Sequence, residues 1–441
     1  MSDDSPSDRP SDDELPPDPF PGDPFADGAA GTSAKSASPG PDLSELLGSL
    51  GPLGAIGPLF QQMAAMQRQG SGLNWDVTRQ IALWTAAGQH AESAPEPVAR
   101  IKMEDIVREA GKEVSTASGL DVSNGRINVV VTTRAGWAAQ SLEDYRPLLD
   151  RLATTLRSPP TAPSDQSAQT TDEGDPMAAM FAMVAPMMVS SQAGALIGEL
   201  ATTSLGSYDV PVPRVNATEQ LLFVLRNIDE FAAEWSVPVE HARTHVAIVE
   251  TAMHAVLRIP HIHTHLHALI DRFVGSYVLD PDLLGGQLRD QLGLSGLFGD
   301  APLPGSNVPG TGSPAIMGAP ETASQRMIRT DIRRVLTPIV GFVDYVAAVT
   351  GARMLGDNRK VVEAWRRRRL SSGRGQTTAA QMLGLSFDDE LLDCGATFIG
   401  GVLQRGGPDA LAALWSQLAN LPTANELLAP GLWMARVGLA E

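Results

Sequence analysis

The sequence predicts a mainly α-helical domain behind a disordered acidic tail, with at most a small β element. Three observations carry this reading. Apolar residues recur at steps of three and four over most of residues 74–441. Only one stretch, Ile127 to Thr133 (INVVVTT), is β-branched in the manner of a strand. Between Ser2 and Asp27 lie nine acidic residues, seven prolines and one arginine, a composition that cannot bury enough apolar surface to offset its ordering entropy.

The tail extends to residue 73. Its later part, Leu43 to Met66, is apolar but dotted with Gly and Pro, and reads as mostly disordered rather than as a short docking helix. The folded domain starts near Asn74-Trp75-Asp76, where helical spacing runs through Val77, Ile81 and Trp84. A second helix is expected from Pro95 to Val114, then the strand, then an amphipathic helix from Ser141 to Leu156. Residues 158–175 form a Pro/Ser/Thr/Asp-rich insertion. The uncharged stretch Pro176 to Gly198 is as long as a membrane span, which needs about 20 apolar residues. Pro186, Ser190, Ser191 and Gln192 interrupt it, and no basic or aromatic flank anchors it, so it reads as a buried Met-rich helix pair and not as a stable membrane insertion.

Thr218 to Trp235 and Pro238 to Leu257 follow as strong helices. Residues 293–324 are a second Gly/Pro/Ser-rich insertion. Helices are then expected over Arg326–Gly351, Asp357–Leu370, Gln376–Leu383, Phe387–Gln404 and Pro408–Leu418, and Thr423-Ala-Asn-Glu426 is a capping box that opens a last short one.

Bulk composition narrows the function. The net charge is −18, so phosphate backbones and anionic lipid repel the chain, and nucleic acid is not an expected partner. Cys394 is the one cysteine, which excludes an internal disulfide and a cysteine metal site. No basic n-region and apolar h-region open the sequence, and a cytoplasmic location is expected. There is no G-x-S-x-G elbow, Walker loop or G-x-G-x-x-G turn.

Pro238 to Leu257 (PVEHARTHVAIVETAMHAVL) is the helix that bears on chemistry. Pro238 suits the first turn, and Pro260 lies beyond the end. Ala242, Val246, Val249, Met253 and Val256 make one apolar stripe that must face the core. Glu250 sits about 100° from that stripe, with His254 four residues on. The residues by themselves read as a helix-surface Glu250–His254 pair, with a displaced metal site on those two side chains as the alternative.

The segment from Leu221 to Leu266 (LLFVLRNIDEFAAEWSVP…VAIVETAMHAVLRIPHIHTHL) resembles the core of an actinobacterial family of zincin-like, zinc-dependent metalloproteases. Trp75 to Trp84, Gly119-Leu120 with Arg134-Ala-Gly-Trp137, Gly206-Ser-Tyr-Asp209, Arg366 to Arg369, Met382-Leu-Gly-Leu385, and Leu421-Pro-Thr423 with Trp433 are similar to further family segments in the same order. The likeness spans residues 74–441. It implies a zincin-like helical domain and an H-E-x-x-H helix, in which two histidines bind zinc and the glutamate activates the bound water.

On that resemblance Glu250 takes the place of the general base. The histidine positions fall on Val249 and Met253, and a third, acidic ligand position falls on Val340 in Ile339–Val346. Valine has no donor atom, and a thioether suits Cu(I) rather than zinc. Glu250 is therefore read as vestigial and no cofactor is expected; zinc would be present only if the family activity were retained.

Seven of the eight histidines lie between residues 241 and 267. His261/His265 and His263/His267 are i,i+4 pairs, so His254, His261 and His265 are the candidates for an unconventional metal site, and the run is also a candidate pH sensor. The plainer reading has His265 packed and the others exposed. Arg366 to Arg369 reads as an ion-paired helix face, and Cys394 as a small buried residue.

The leading expectation is thus an inactive, zincin-like scaffold that binds a protein or peptide in a cleft near Val249, Glu250, Met253 and Val340. The competing expectations are an active zinc-dependent hydrolase with non-standard ligands, and an assembly factor acting through the tail.

Overall fold

Polar side chains open the helices where the chain turns. Asn74, Thr133, Thr322, Asp388 and Thr423 each accept a backbone N–H from their own first turn, and Thr322/Gln325 and Thr423/Glu426 close full capping boxes. The computed structural model describes residues 73–88, 92–122, 127–157, 176–210, 212–214, 220–277, 321–371, 382–385 and 387–439. The acidic tail, the Leu43–Met66 segment, the insertion 158–175, most of the insertion 293–324 and most of Gln376–Leu383 lie outside these residues; the last residues of the second insertion, from Ala323, instead open a helix.

In chain order the elements are α1 Trp75–Ala87, α2 Pro97–Ser118, β1 Asn128–Val131, α3 Arg134–Asp144, α4 Arg146–Arg157, α5 Pro176–Thr203, β2 Gln220–Phe223, α6 Leu225–Glu234, α7 Val239–Leu257, α8 Pro260–Val274, α9 Ala323–Leu355, α10 Arg359–Leu370, α11 Asp389–Ser416, a 3-10 turn Leu418–Asn420, α12 Ala424–Leu428 and α13 Pro430–Arg436. The fold class is mainly α, as the sequence predicts. Strand β1 falls inside the expected β stretch and pairs in parallel with β2, Asn128 opposite Gln220 and Val131 opposite Phe223.

The structure corrects several element readings. Thr218 to Trp235 is not one helix. Its first part, Gln-Leu-Leu-Phe, is β2, and only Leu225–Glu234 is helical. The apolar run satisfies either template, and pairing with β1 decides. Ser141 to Leu156 is two helices that meet at Tyr145, the first starting at Arg134. The Met-rich stretch belongs to one helix, α5, and not to a pair. Gly194 and Gly198 let α5 lie against α1, since a Cβ at either would meet the backbone carbonyl of Thr78 or Ala82 at 2.4 or 2.8 Å. The two helices expected over Phe387–Gln404 and Pro408–Leu418 are both present within α11, divided at Gly407, whose φ of 68° and ψ of −174° are non-helical.

Helix α7 runs through the interior. It packs against α2, α6, α8, α9 and α10. Every residue from Thr244 to Leu257 is buried. Among the described residues one helix, α9, is long and apolar enough to cross a membrane, and 72% of its most apolar window is buried within the fold.

Candidate functional site

Burial on all sides of α7 sets the chemistry of its polar residues. Glu250 is 1% exposed and His254 is fully buried. The helix-surface Glu250–His254 pair expected from the sequence is therefore incorrect: both side chains point into protein, toward the loop that follows α5.

That loop, residues 204–209, lies across the flank of α7. The N–H of Tyr208 donates to both oxygens of Glu250, at 3.1 and 3.0 Å. Gly206 lies directly on the Glu250 side chain, so that a Cβ there would come within 2.3 Å of its carboxyl carbon. The Tyr208 hydroxyl is 2.9 Å from Nδ1 of His254.

A ring of charge pairs surrounds this cluster. Arg214 and Asp144 form an ion pair of 2.6 Å, with side chains 2% and 5% exposed. Arg214 also donates to Ser141 Oγ and to the Ser207 carbonyl, and its guanidinium lies over the rings of Trp137 and Tyr145. On the other side Arg368 from α10 binds both carboxylate oxygens of Asp209, at 3.0 and 3.1 Å.

Burial shifts the titrations. Burial first, and Asp209 second, push the Glu250 carboxyl up to about 8, against the pull of the Tyr208 and Ser207 amides and Arg214. Burial and Arg258 hold His254 down to about 4. Burial and Arg369 hold His245 down to about 3. His245 is edge-on to Trp365 at 5.5 Å, and neither of its ring nitrogens has a hydrogen-bond partner among the described residues.

Each ligand position taken from the resemblance is apolar and enclosed. Val249, Met253 and Val340 are 6, 5 and 1% exposed. Zinc takes imidazole, carboxylate or thiolate donors. Two alkyl side chains and a thioether in the core do not fit it.

The histidine run lies on α8. His261, His263, His265 and His267 are all partly buried, so His265 is not set apart as the packed one; Ile262, Leu266, Leu269 and Ile270 do the packing. His263 and His267 stack at 6.3 Å. Among the described residues no three His, Cys, Asp or Glu side chains come together as a metal-holding group, so His254, His261 and His265 are not joined in one.

Arg366 to Arg369 are ion-paired, as expected, to Asp393, Glu363, Asp209 and Asp344 respectively. Two of these four point inward, which helical spacing alone does not reveal. Cys394 is half-buried rather than buried.

Sequence reasoning missed Tyr208, Asp144 and Arg214 as members of the Glu250 cluster. The Gly206–Asp209 motif was the available signal, but its partners are 42 residues away for Glu250 and 159 for Arg368.

The comparisons agree with this architecture. Residues 73–434 match the sequence model of a family described as zincin-like metallopeptidases. The fold is similar to the crystal structure of a presumed hydrolase with a novel fold from Chloroflexus aurantiacus, with a TM-score of 0.55 and 17% identity, over 84% of this chain and 100% of that one. No curated protein matches.

Proposed function

The chain belongs to the zincin-like metallopeptidase family, and from that premise we propose that it is a non-catalytic member whose role is to bind a protein or peptide partner in the cytoplasm. One observation carries the reading. The positions that the resemblance assigns to the family's zinc ligands, Val249, Met253 and Val340, are all buried, and none is a donor for a hard divalent ion.

Without bound zinc a water molecule keeps its ordinary acidity, and a glutamate alone is a weak activator of it. Glu250 is in addition engaged by the backbone amide of Tyr208. The family fold is retained over residues 73–434, and a fold is compatible with binding as readily as with catalysis. Because the former ligand positions are enclosed, partner binding falls to the outer surface.

Metal analysis and peptide hydrolysis test this together. The purified protein is expected to carry less than stoichiometric zinc and to show no chelator-sensitive turnover. A stoichiometric metal lost on Glu250→Ala or His254→Ala, with hydrolysis lost in parallel, would replace this reading with an active enzyme using unconventional ligands.

A further inference from the structure

The loop 204–209 is held from nearly every element around it. Asn227 of α6 donates to the carbonyls of Ala201 and Ser204, at 2.9 and 2.6 Å. The N–H of Val224 donates to the Leu205 carbonyl at 3.0 Å. Trp137 Nε1 of α3 donates to the Gly206 carbonyl at 2.8 Å. Arg214 donates to the Ser207 carbonyl at 3.0 Å, and the N–H of Leu222 in β2 donates to Ser207 Oγ at 2.8 Å. These bonds satisfy carbonyls and a hydroxyl. The amide of Tyr208 goes instead to the carboxyl group of Glu250.

We infer that Glu250 is the clamp that seats the 204–209 loop on α7, a conformational role taken in place of proton transfer. The inference deepens the non-catalytic reading of the same site and rests on it. A general base must reach the proton it takes, at roughly 2.6–3.2 Å or through one water. Both oxygens of Glu250 instead face the Tyr208 amide, and Gly206 covers the carboxyl so closely that a methyl group would meet its Cδ, Oε1 and Cγ at 2.3, 2.5 and 2.7 Å. The fit is reciprocal. Gly206 has no positive φ, so its lack of a side chain answers a demand of space and not of backbone conformation. A carboxyl group in this position gives the buried Tyr208 amide its acceptor.

Thermal melts of a Gly206→Ala/Glu250→Ala cycle test the clamp, alongside Glu250→Gln. Gly206→Ala alone is expected to lower Tm by roughly 3–8 °C, because its methyl group meets the carboxyl. Glu250→Ala is expected to lower it by a similar amount, by leaving the Tyr208 amide unpaired. In the double variant the methyl group enters the space the carboxyl has left, so the combined loss is expected to be no larger than that of Glu250→Ala alone. Should Glu250→Ala not fold, Glu250→Gln provides the reading. It keeps the volume but replaces one of the two oxygens facing the Tyr208 N–H with an NH2 donor, and a fall in Tm is expected below pH 8, where the parent carboxyl is uncharged. Strictly additive losses, or a Gly206→Ala or Glu250→Gln variant as stable as the parent, would overturn the clamp. Chelator-sensitive hydrolysis by the parent protein would instead overturn the non-catalytic reading, and is scored separately on the same preparations.

Discussion

The hydroxyl of Tyr208 lies 2.9 Å from Nδ1 of His254, with both side chains buried. Through Tyr208 one loop residue meets α7 twice, by its backbone at Glu250 and by its side chain one turn later. The polar face that sequence spacing assigns to solvent is thus the face on which the loop is fastened. Titration of α7 is therefore a property of the folded core.

The pH dependence of stability follows from the signs. His254 and His245 are held down to about 4 and about 3 in the folded state, against 6.5. Their depressed values make the folded state bind fewer protons than the unfolded chain, so stability is lost as pH falls below about 6.5. Glu250 is raised to about 8 from 4.5, so its contribution is lost as pH rises between those values. Below about 6.5 the buried histidines, to which the lowered His265 and His267 add in the same sense, outweigh one carboxyl, and well above 6.5 the carboxyl dominates. Tm is expected to peak near pH 6.5. His245→Phe should flatten the acid side by about 1.4 kcal/mol per pH unit, one proton's worth. A level profile from pH 5 to 8 would refute this.

The Asp144–Arg214 pair should be costly to break and cheaper to remove. Its desolvated charges depend on each other, and Arg214 also holds the Ser207 carbonyl. Asp144→Ala or Arg214→Met is expected to cost about 3–5 kcal/mol in denaturant unfolding, with the double variant losing clearly less than the sum. Single losses under about 1 kcal/mol would mean that the pair is better solvated than its geometry implies.

What the sequence discloses and what it hides divide along sequence separation. The bounds of α7 follow from Pro238 and Pro260, its apolar stripe from spacing, and the last capping box from Thr423 and Glu426, all local signals. Strand β2 was hidden because four apolar residues fit a strand or a helix equally, and only β1, some ninety residues earlier in the numbering, settles it. Glu250 was hidden for a related reason. Periodicity counts a carboxylate as a surface group, whereas its amide partner comes from a loop 42 residues away.

Met253 offers a direct test of whether its position is packing or ligation. It is 5% exposed in the core, and Met253→Leu conserves its volume. The exchange is expected to cost less than about 1.5 kcal/mol, and the cost should be the same with excess zinc or with chelator. Zinc that raises the Tm of the parent but not of Met253→Leu would make the thioether a ligand.

Glycine at the crossing of α9 and α11 yields a contrast within one pair of helices. A Cβ on Gly341 would meet the Gly395 carbonyl oxygen, carbonyl carbon and Cα at 2.4, 2.5 and 2.8 Å. All three are backbone atoms, so no rotamer change relieves the clash, and α9 also carries the Val340 position and packs on α7. On Gly400 of α11 a Cβ meets nothing within 4 Å. Gly341→Ala is expected to destabilise by about 1–3 kcal/mol through forced separation of the helices. Gly400→Ala should be neutral or stabilise by up to about 1 kcal/mol, because alanine is the better helix former and restricts the unfolded chain. Denaturant melts of the two variants decide the matter: equal effects, or a tolerated Gly341→Ala, would mean that α9 and α11 do not meet as closely as this crossing requires.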